Sequence, residues 1–142
     1  MKAELTFIGT ISTPYKALQD CPKNIDPNGP ECQIVLNPDY QAGLHGLEKG
    51  QNILVLYWLG DSKVRSEPEG QVVNLQHGRG GAMKGTFALR SPVRPNPIGA
   101  AVLPIEVIEK GVVTVRGLDC LNGTRLIDIK PAIYQEVAKA RG

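Results

Sequence analysis

The segment Gly85-Thr86-Phe87-Ala88-Leu89-Arg90-Ser91-Pro92-Val93-Arg94-Pro95-Asn96-Pro97-Ile98-Gly99 constrains the fold more than any other part of the chain. It sets three prolines, two arginines and an asparagine between two glycines. Each proline fixes its own φ and pushes the residue before it into extended geometry. A helix is therefore impossible there, and so is a regular central strand, because proline has no N–H to give a ladder. The residues read as a stiff, pre-shaped loop that holds Arg90, Arg94 and Asn96 in fixed directions. Rigidity of that kind lowers the entropy cost of gripping a ligand. The plainer alternative is a rigid surface crossover with solvated arginines, since most loops only connect.

The rest of the chain agrees with a loop-rich β fold. Sixteen glycines and eleven prolines in 142 residues are too many for a helical protein and natural for a turn-rich one. At 42% hydrophobic residues the chain can bury a core without cross-links, so one domain over residues 1–142 is expected. A formal net charge of +2 gives no overall signature of a polyanion binder, and any nucleic-acid contact would need a local basic patch. The longest apolar run, Ile53 to Leu59, is too short to span a membrane, and no secretory segment is present. Cys21, Cys32 and Cys120 cannot all pair, lack CxxC spacing, and have only His45 and His77 to assist them. A reduced, cytoplasmic protein without a metal site is the simplest reading.

Short apolar runs bounded by turn residues mark the strands. Leu5 to Ile11, Cys32 to Leu36, Asn52 to Leu59, Ala101 to Ile108, Val112 to Arg116 and Leu126 to Ile129 are the candidates. Asn52 to Leu59 reads as buried on both faces. Glu109-Lys110-Gly111 signals a hairpin with glycine at a positive φ. Tyr40 to Leu47 reads as one or two helical turns, and Tyr134 to Arg141 as a short terminal helix or tail. Tyr15–Glu31 and Ser62–Gly81 are long polar loops, and loops of that length in a small domain are usually functional or disordered. Six or seven short strands with little helix predict an all-β fold, a small β-barrel with long loops.

Three polar regions carry the chemistry: Pro22-Lys23-Asn24, Arg90 to Asn96, and Asn122 to Lys130. In the last, Asp128 and Lys130 alternate with Ile127 and Ile129, which places carboxylate and ammonium on one face of an extended segment. Alone, that is a surface ion pair of roughly 0–1 kcal/mol. No GxSxG elbow, HExxH or supported Cys–His pair appears, and GxGxxG is absent, which excludes a Rossmann cofactor site. His77 reads as a loop residue rather than a base. The inventory suits binding and orienting a small polar ligand.

The Gly85–Gly99 motif, with Gly117-Leu118-Asp119, Asn122-Gly123-Thr124 and Asp128-Ile129-Lys130-Pro131, closely resembles the TrmO (YaeB-like) family. Ile8-Gly9, Ile11, Thr13-Pro14-Tyr15 and Gly46-Leu47-Glu48 extend the resemblance over nearly the whole chain. It implies a single small β-barrel, typically dimeric, that binds S-adenosylmethionine. It further implies methylation of the exocyclic N6 amine of threonylcarbamoyl-adenosine beside the tRNA anticodon. Carried over by motif, the cofactor contacts are Pro22, Lys23, Asn24, Gly60, Asp61, Arg90, Ala100 through its backbone, and Asn122, Gly123, Thr124 and Arg125. The family often has His at Gly60, Asp at Asn122, Pro at Arg125 and Tyr at Ala132, so an aromatic stacking surface is lost at Ala132.

Methyl transfer from a sulfonium asks the protein mainly for positioning, which matches a site poor in acids and bases. By motif position Asp128 is the candidate base, with Asn96 orienting the amine. Arg94, Lys63, Arg65 and Arg79 form a candidate patch for anticodon-loop phosphates. Two other readings stand beside this one: a methyltransferase with a different RNA or small-molecule substrate, and a non-catalytic module that binds the cofactor.

Overall fold

Alternation along β3 (Asn52–Trp58) sets the architecture: Ile53, Val55 and Tyr57 point into the core, while Leu54, Leu56 and Trp58 are only half-buried. The run expected to be buried on both faces is thus buried on one. The computed structural model describes residues 1–61, 76–77 and 83–133, the pair 76–77 in its backbone alone. The expected terminal helix or tail and Lys63, Arg65 and Arg79 lie outside the described residues, as does the side chain of His77.

Around β3 run β1 (Gly9–Ser12), β2 (Glu31–Leu36), β4 (Gln76–His77), β5 (Met83–Lys84), β6 (Ile98–Pro104), β7 (Val107–Glu109), β8 (Val112–Arg116) and β9 (Thr124–Pro131). Short 3-10 turns cover Leu18–Asp20, Pro38–Leu44 and Thr86–Ala88. Among the described residues no helix is long and apolar enough to cross a membrane. Seven strands form one antiparallel sheet in the order β6-β3-β9-β1-β2-β8-β7, and β4 pairs with β5. Ile11, Ile34, Ile53, Val55, Leu103, Val113, Val115, Leu118 and Leu126 are fully buried at its centre.

The all-β expectation holds, but the closed barrel does not: β6 and β7 are the two edges, with no ladder between them. The reason lies in the segment read as one strand from Ala101 to Ile108. It is two strands, broken at Ile105-Glu106, where the chain passes from one sheet edge to the other. Ile105 bonds back to the residues before β3 (Ile105 N to Gln51 O, 2.9 Å; Gly50 N to Ile105 O, 2.8 Å), whereas the Glu106 N–H turns to Thr114 O on β8 at 2.8 Å. One corner of chain thereby joins the edges of a strongly curled sheet. The β7–β8 hairpin turns on Lys110 (φ 51°) and Gly111 (φ 79°), the left-handed pair that a two-residue loop requires.

Strand polarity brings the long connections together. Ser12 pairs with Gln33, Ile11 with Thr124, Trp58 with both Ile98 and Arg125, and Glu31 with Arg116. The β1–β2 loop (13–30), the β3–β6 connection (59–97) and the β8–β9 turn (117–123) therefore all leave from the same strand ends. The β2–β3 connection and the β7–β8 hairpin occupy the other end. A bulge sits in β9: Leu56 pairs with Asp128 but Tyr57 with Leu126, which leaves Ile127 without a partner in the ladder. Ile129 still packs on the core and Asp128 still shares a face with Lys130, so the expected alternation survives only beyond the bulge.

Candidate functional site at the loop end of the sheet

Prolines alone do not shape the Gly85–Gly99 loop. The Arg94 guanidinium folds back on it, with Nη1 donating to the carbonyls of Leu89 (3.1 Å) and Ser91 (2.6 Å) and Nη2 to that of Thr86 (3.3 Å). The buried Thr86 hydroxyl donates to Val93 O at 2.6 Å, and the Val93 N–H donates to Ser91 Oγ at 3.1 Å. Arg94 thus serves as a clamp of this loop. Lysine cannot copy the planar fork. Arg94→Lys should lower stability by about 1–2 kcal/mol, the scale of lost bonds to a charged donor, measured as a denaturant midpoint.

Arg90 leaves the same loop and donates through Nη2 to the carbonyl of Ala100, so two expected cofactor contacts meet directly. The Arg90 charge also faces Tyr57 and Asp119. Tyr57 is the last inward residue of β3, and its hydroxyl donates to Asp119 Oδ1 at 3.1 Å. A Cβ at Gly99 would sit 2.3 Å from the Tyr57 ring, so only glycine lets β6 close over that ring. Burial pushes the Tyr57 hydroxyl up, reinforced by the charge of Asp119. Burial likewise raises Asp119, and the Tyr57 bond and the Arg90 charge offset this only in part. Folding therefore favours protonated Asp119. That contribution is complete below the ordinary carboxylate range and is lost as pH rises through the raised value.

Asp61 and Arg125, both expected cofactor contacts, hold one another at the end of β3 and the start of β9. Arg125 Nε donates to Asp61 Oδ2 at 2.7 Å and Nη2 to Oδ1 at 2.6 Å. The guanidinium lies 4.4 Å above the Phe7 ring, which is tilted against Trp58 with centroids 6.1 Å apart. The bonds from Arg125 hold the Asp61 carboxyl below the usual range, with help from the Trp58 indole. Gly60 stands against that indole, where a Cβ would come within 2.4 Å.

The Asn122–Arg125 turn is a fixed platform. Asn122 Oδ1 accepts the Thr13 N–H (3.0 Å), Asn122 N donates to Tyr15 O (2.7 Å), and Gly123 N donates to Ile11 O (2.8 Å). The Thr124 hydroxyl donates to Leu121 O at 2.6 Å. The Asn122 side chain therefore joins two loops. Pro22, Lys23 and Asn24 are exposed in the β1–β2 loop. Their neighbour Cys21 is raised by burial and then by the charge of Asp119.

Asp128 lies on the outer face, opposite Leu56 and away from the Tyr57 side. Its oxygens are engaged, Oδ1 by the Ile129 N–H at 2.8 Å and Oδ2 by Lys130 at 3.1 Å. Asn96 is exposed just before β6, and β3 stands between β6 and β9 in the sheet. Sequence reasoning missed the pair Tyr57–Asp119. Its signal was present: Tyr57 is the last inward position of an alternating strand, and Asp119 opens a polar turn motif.

A family model described as the tRNA-methyltransferase O N-terminal domain matches residues 10–136. A protein of Rhizobium radiobacter named probable S-adenosyl-L-methionine-binding protein VirR is 40% identical, over 91% of this chain and 70% of its own length. A human tRNA (adenine(37)-N6)-methyltransferase is 33% identical, over 72% of this chain but 22% of its own. The crystal structure of TrmO from Pseudomonas aeruginosa superposes with a TM-score of 0.75 at 25% identity, covering 100% of this chain. This chain spans 61% of that longer one. With a family model over most of its length and a shared fold throughout, the chain belongs to the tRNA-methyltransferase O N-terminal domain family.

Proposed function

We propose that the protein binds S-adenosyl-L-methionine and methylates the N6 amine of threonylcarbamoyl-adenosine beside the tRNA anticodon. One observation carries this reading: the loops bearing the expected cofactor contacts all leave one end of the sheet, where Arg90, Ala100, Tyr57 and Asp119 meet. The donor set suits the ligand. Arg90 and Lys23 provide cations for a carboxylate, Asp119 an anion for a positive centre, and the backbone of Gly60, Ala100, Asn122, Gly123 and Thr124 neutral partners. Asn24, Pro22, Asp61 and Arg125 complete the wall. When bound, the cofactor supplies a methyl group already activated by a positive sulfur.

What remains for the protein is to fix the amine in line, exclude water and accept one proton. Asp128 is the proposed acceptor and Asn96 the orienting group. Asp128→Asn should cut kcat at least tenfold and leave cofactor Kd unchanged; unaltered turnover would remove Asp128 from the mechanism. The acceptor nucleotide is already unpaired in a loop, so extruding it costs little. We place the protein in the cytoplasm as a homodimer.

Radiolabelled cofactor and bulk tRNA lacking the modification test the activity. Label in N6-methylated nucleoside is expected. Because VirR is named a binding protein, a non-catalytic cofactor-binding role is the second reading, and cofactor binding without label transfer would favour it. Label in another acceptor would point to a non-tRNA substrate.

A further inference from the structure

Resting on the cofactor reading above, we propose that Asp119, held in place by Tyr57, makes the site prefer a positively charged sulfonium ligand over the corresponding neutral thioether. Four described carboxylates have a cation at ion-pair distance: Glu31 and Glu106 with Arg116, Asp61 with Arg125, and Asp128 with Lys130. Asp119 has none among the described residues, although it is half-buried at the loop end. Arg90, whose charge it feels, is bonded to the carbonyl of Ala100. The groups around Asp119 come from every loop of the site: Tyr57 from β3, Cys21 and Tyr15 from the β1–β2 loop, Arg90 from the proline-rich loop, and Cys120 from its own turn. The other ionisable neighbours are phenols and thiols pushed upward, which stay neutral.

A buried carboxylate without an ionic partner costs free energy, which a ligand cation can recover. Burial disfavours the anionic form of Asp119, and an arriving positive charge stabilises that same form. Tyr57 adds direction. Its ring is clamped between the core and Gly99, and its single O–H fixes one carboxylate oxygen. The attraction disappears when the sulfonium gives up its methyl and becomes a thioether, so the same residue favours product release. Asp61 does not offer this selectivity, because both its oxygens are occupied by Arg125.

Calorimetric titration of the native chain, Asp119→Asn and Tyr57→Phe with S-adenosylmethionine and with S-adenosylhomocysteine tests the assignment. The native chain should favour the sulfonium ligand. Asp119→Asn should lose about tenfold in affinity for S-adenosylmethionine and little for S-adenosylhomocysteine, so the preference collapses. Tyr57→Phe should move the ratio the same way by a smaller factor. A purely structural role would weaken both ligands equally, and that result, or an unchanged ratio in both variants, overturns the proposal. Thermal unfolding at neutral pH should show Asp119→Asn at least as stable as native; should it fail to fold, the ratio in Tyr57→Phe decides. A native chain that binds neither ligand would overturn the cofactor reading itself, whereas binding with an unaltered ratio would overturn this inference alone.

Discussion

Replacing Gly117 by alanine is expected to cost the fold about 3 kcal/mol, read as a lower denaturant midpoint with an unchanged slope. Gly117 has φ +86°, in the left-handed region where a side chain is strained. Most of the cost is steric. A Cβ there would lie 1.5 Å from the Asp26 carbonyl oxygen and 2.3 Å from its carbon, both backbone atoms. That contact is itself structural, because Asp26 N donates to Gly117 O (3.0 Å) and Gly117 N donates to Pro30 O (2.9 Å). Alanine would force the β1–β2 loop off the start of the β8–β9 turn, and with it the Pro22–Asn24 triplet. Gly50→Ala is the control. It has φ +88° with nothing within 4 Å of its Cβ, so only the conformational cost of about 1 kcal/mol should remain.

Arg90→Ala is expected to weaken S-adenosylmethionine binding by about ten- to hundredfold, the equivalent of one charge-assisted interaction of roughly 1.5–3 kcal/mol. Arg90 is exposed and bonds to a carbonyl of the next strand, so its loss should shift the unfolding midpoint little. Arg90→Lys keeps the charge but not the fork, and should recover part of the affinity. Calorimetry on the three proteins reads all of this. Equal affinity in native and alanine forms would take Arg90 out of the site. Arg94 makes the useful contrast, since two residues of one type in one motif divide the work: Arg94 holds its own loop and Arg90 reaches across to Ala100.

Much of this was legible in the residues, for identifiable reasons. Proline geometry is local, so the Arg90–Asn96 loop could be read directly. The strand-like runs fell close to the observed strands because apolar runs bounded by turn residues are also a local signal. The Lys110-Gly111 turn was legible in its glycine. What failed was long-range. The break at Ile105-Glu106 depends on a hydrogen bond to Gln51, distant in sequence, and on one to Thr114 across the β7–β8 hairpin, and that break separates an open curled sheet from a closed barrel. The first strand begins at Gly9 rather than Leu5 because β2 ends at its partner Leu36 and β9 bulges at Ile127, just past its other partner Leu126. In the candidate site, the motif named Arg90, Asp61 and Arg125 but not the partners each one holds. Asp61 pairs with a residue 64 positions away, and Tyr57 with one 62 away. Such partners become visible only once strand order is known.

The central claim is that segments from three separate connections meet at one end of the sheet to form a single cofactor site. A crystal structure with S-adenosylmethionine bound tests it most directly. Ligand density is expected within the bounds of Lys23, Asp61, Arg90, Asp119 and the Asn122 turn. Density instead in the groove at the opposite end, lined by Gln41, Leu44, His45 and Lys110, would contradict it.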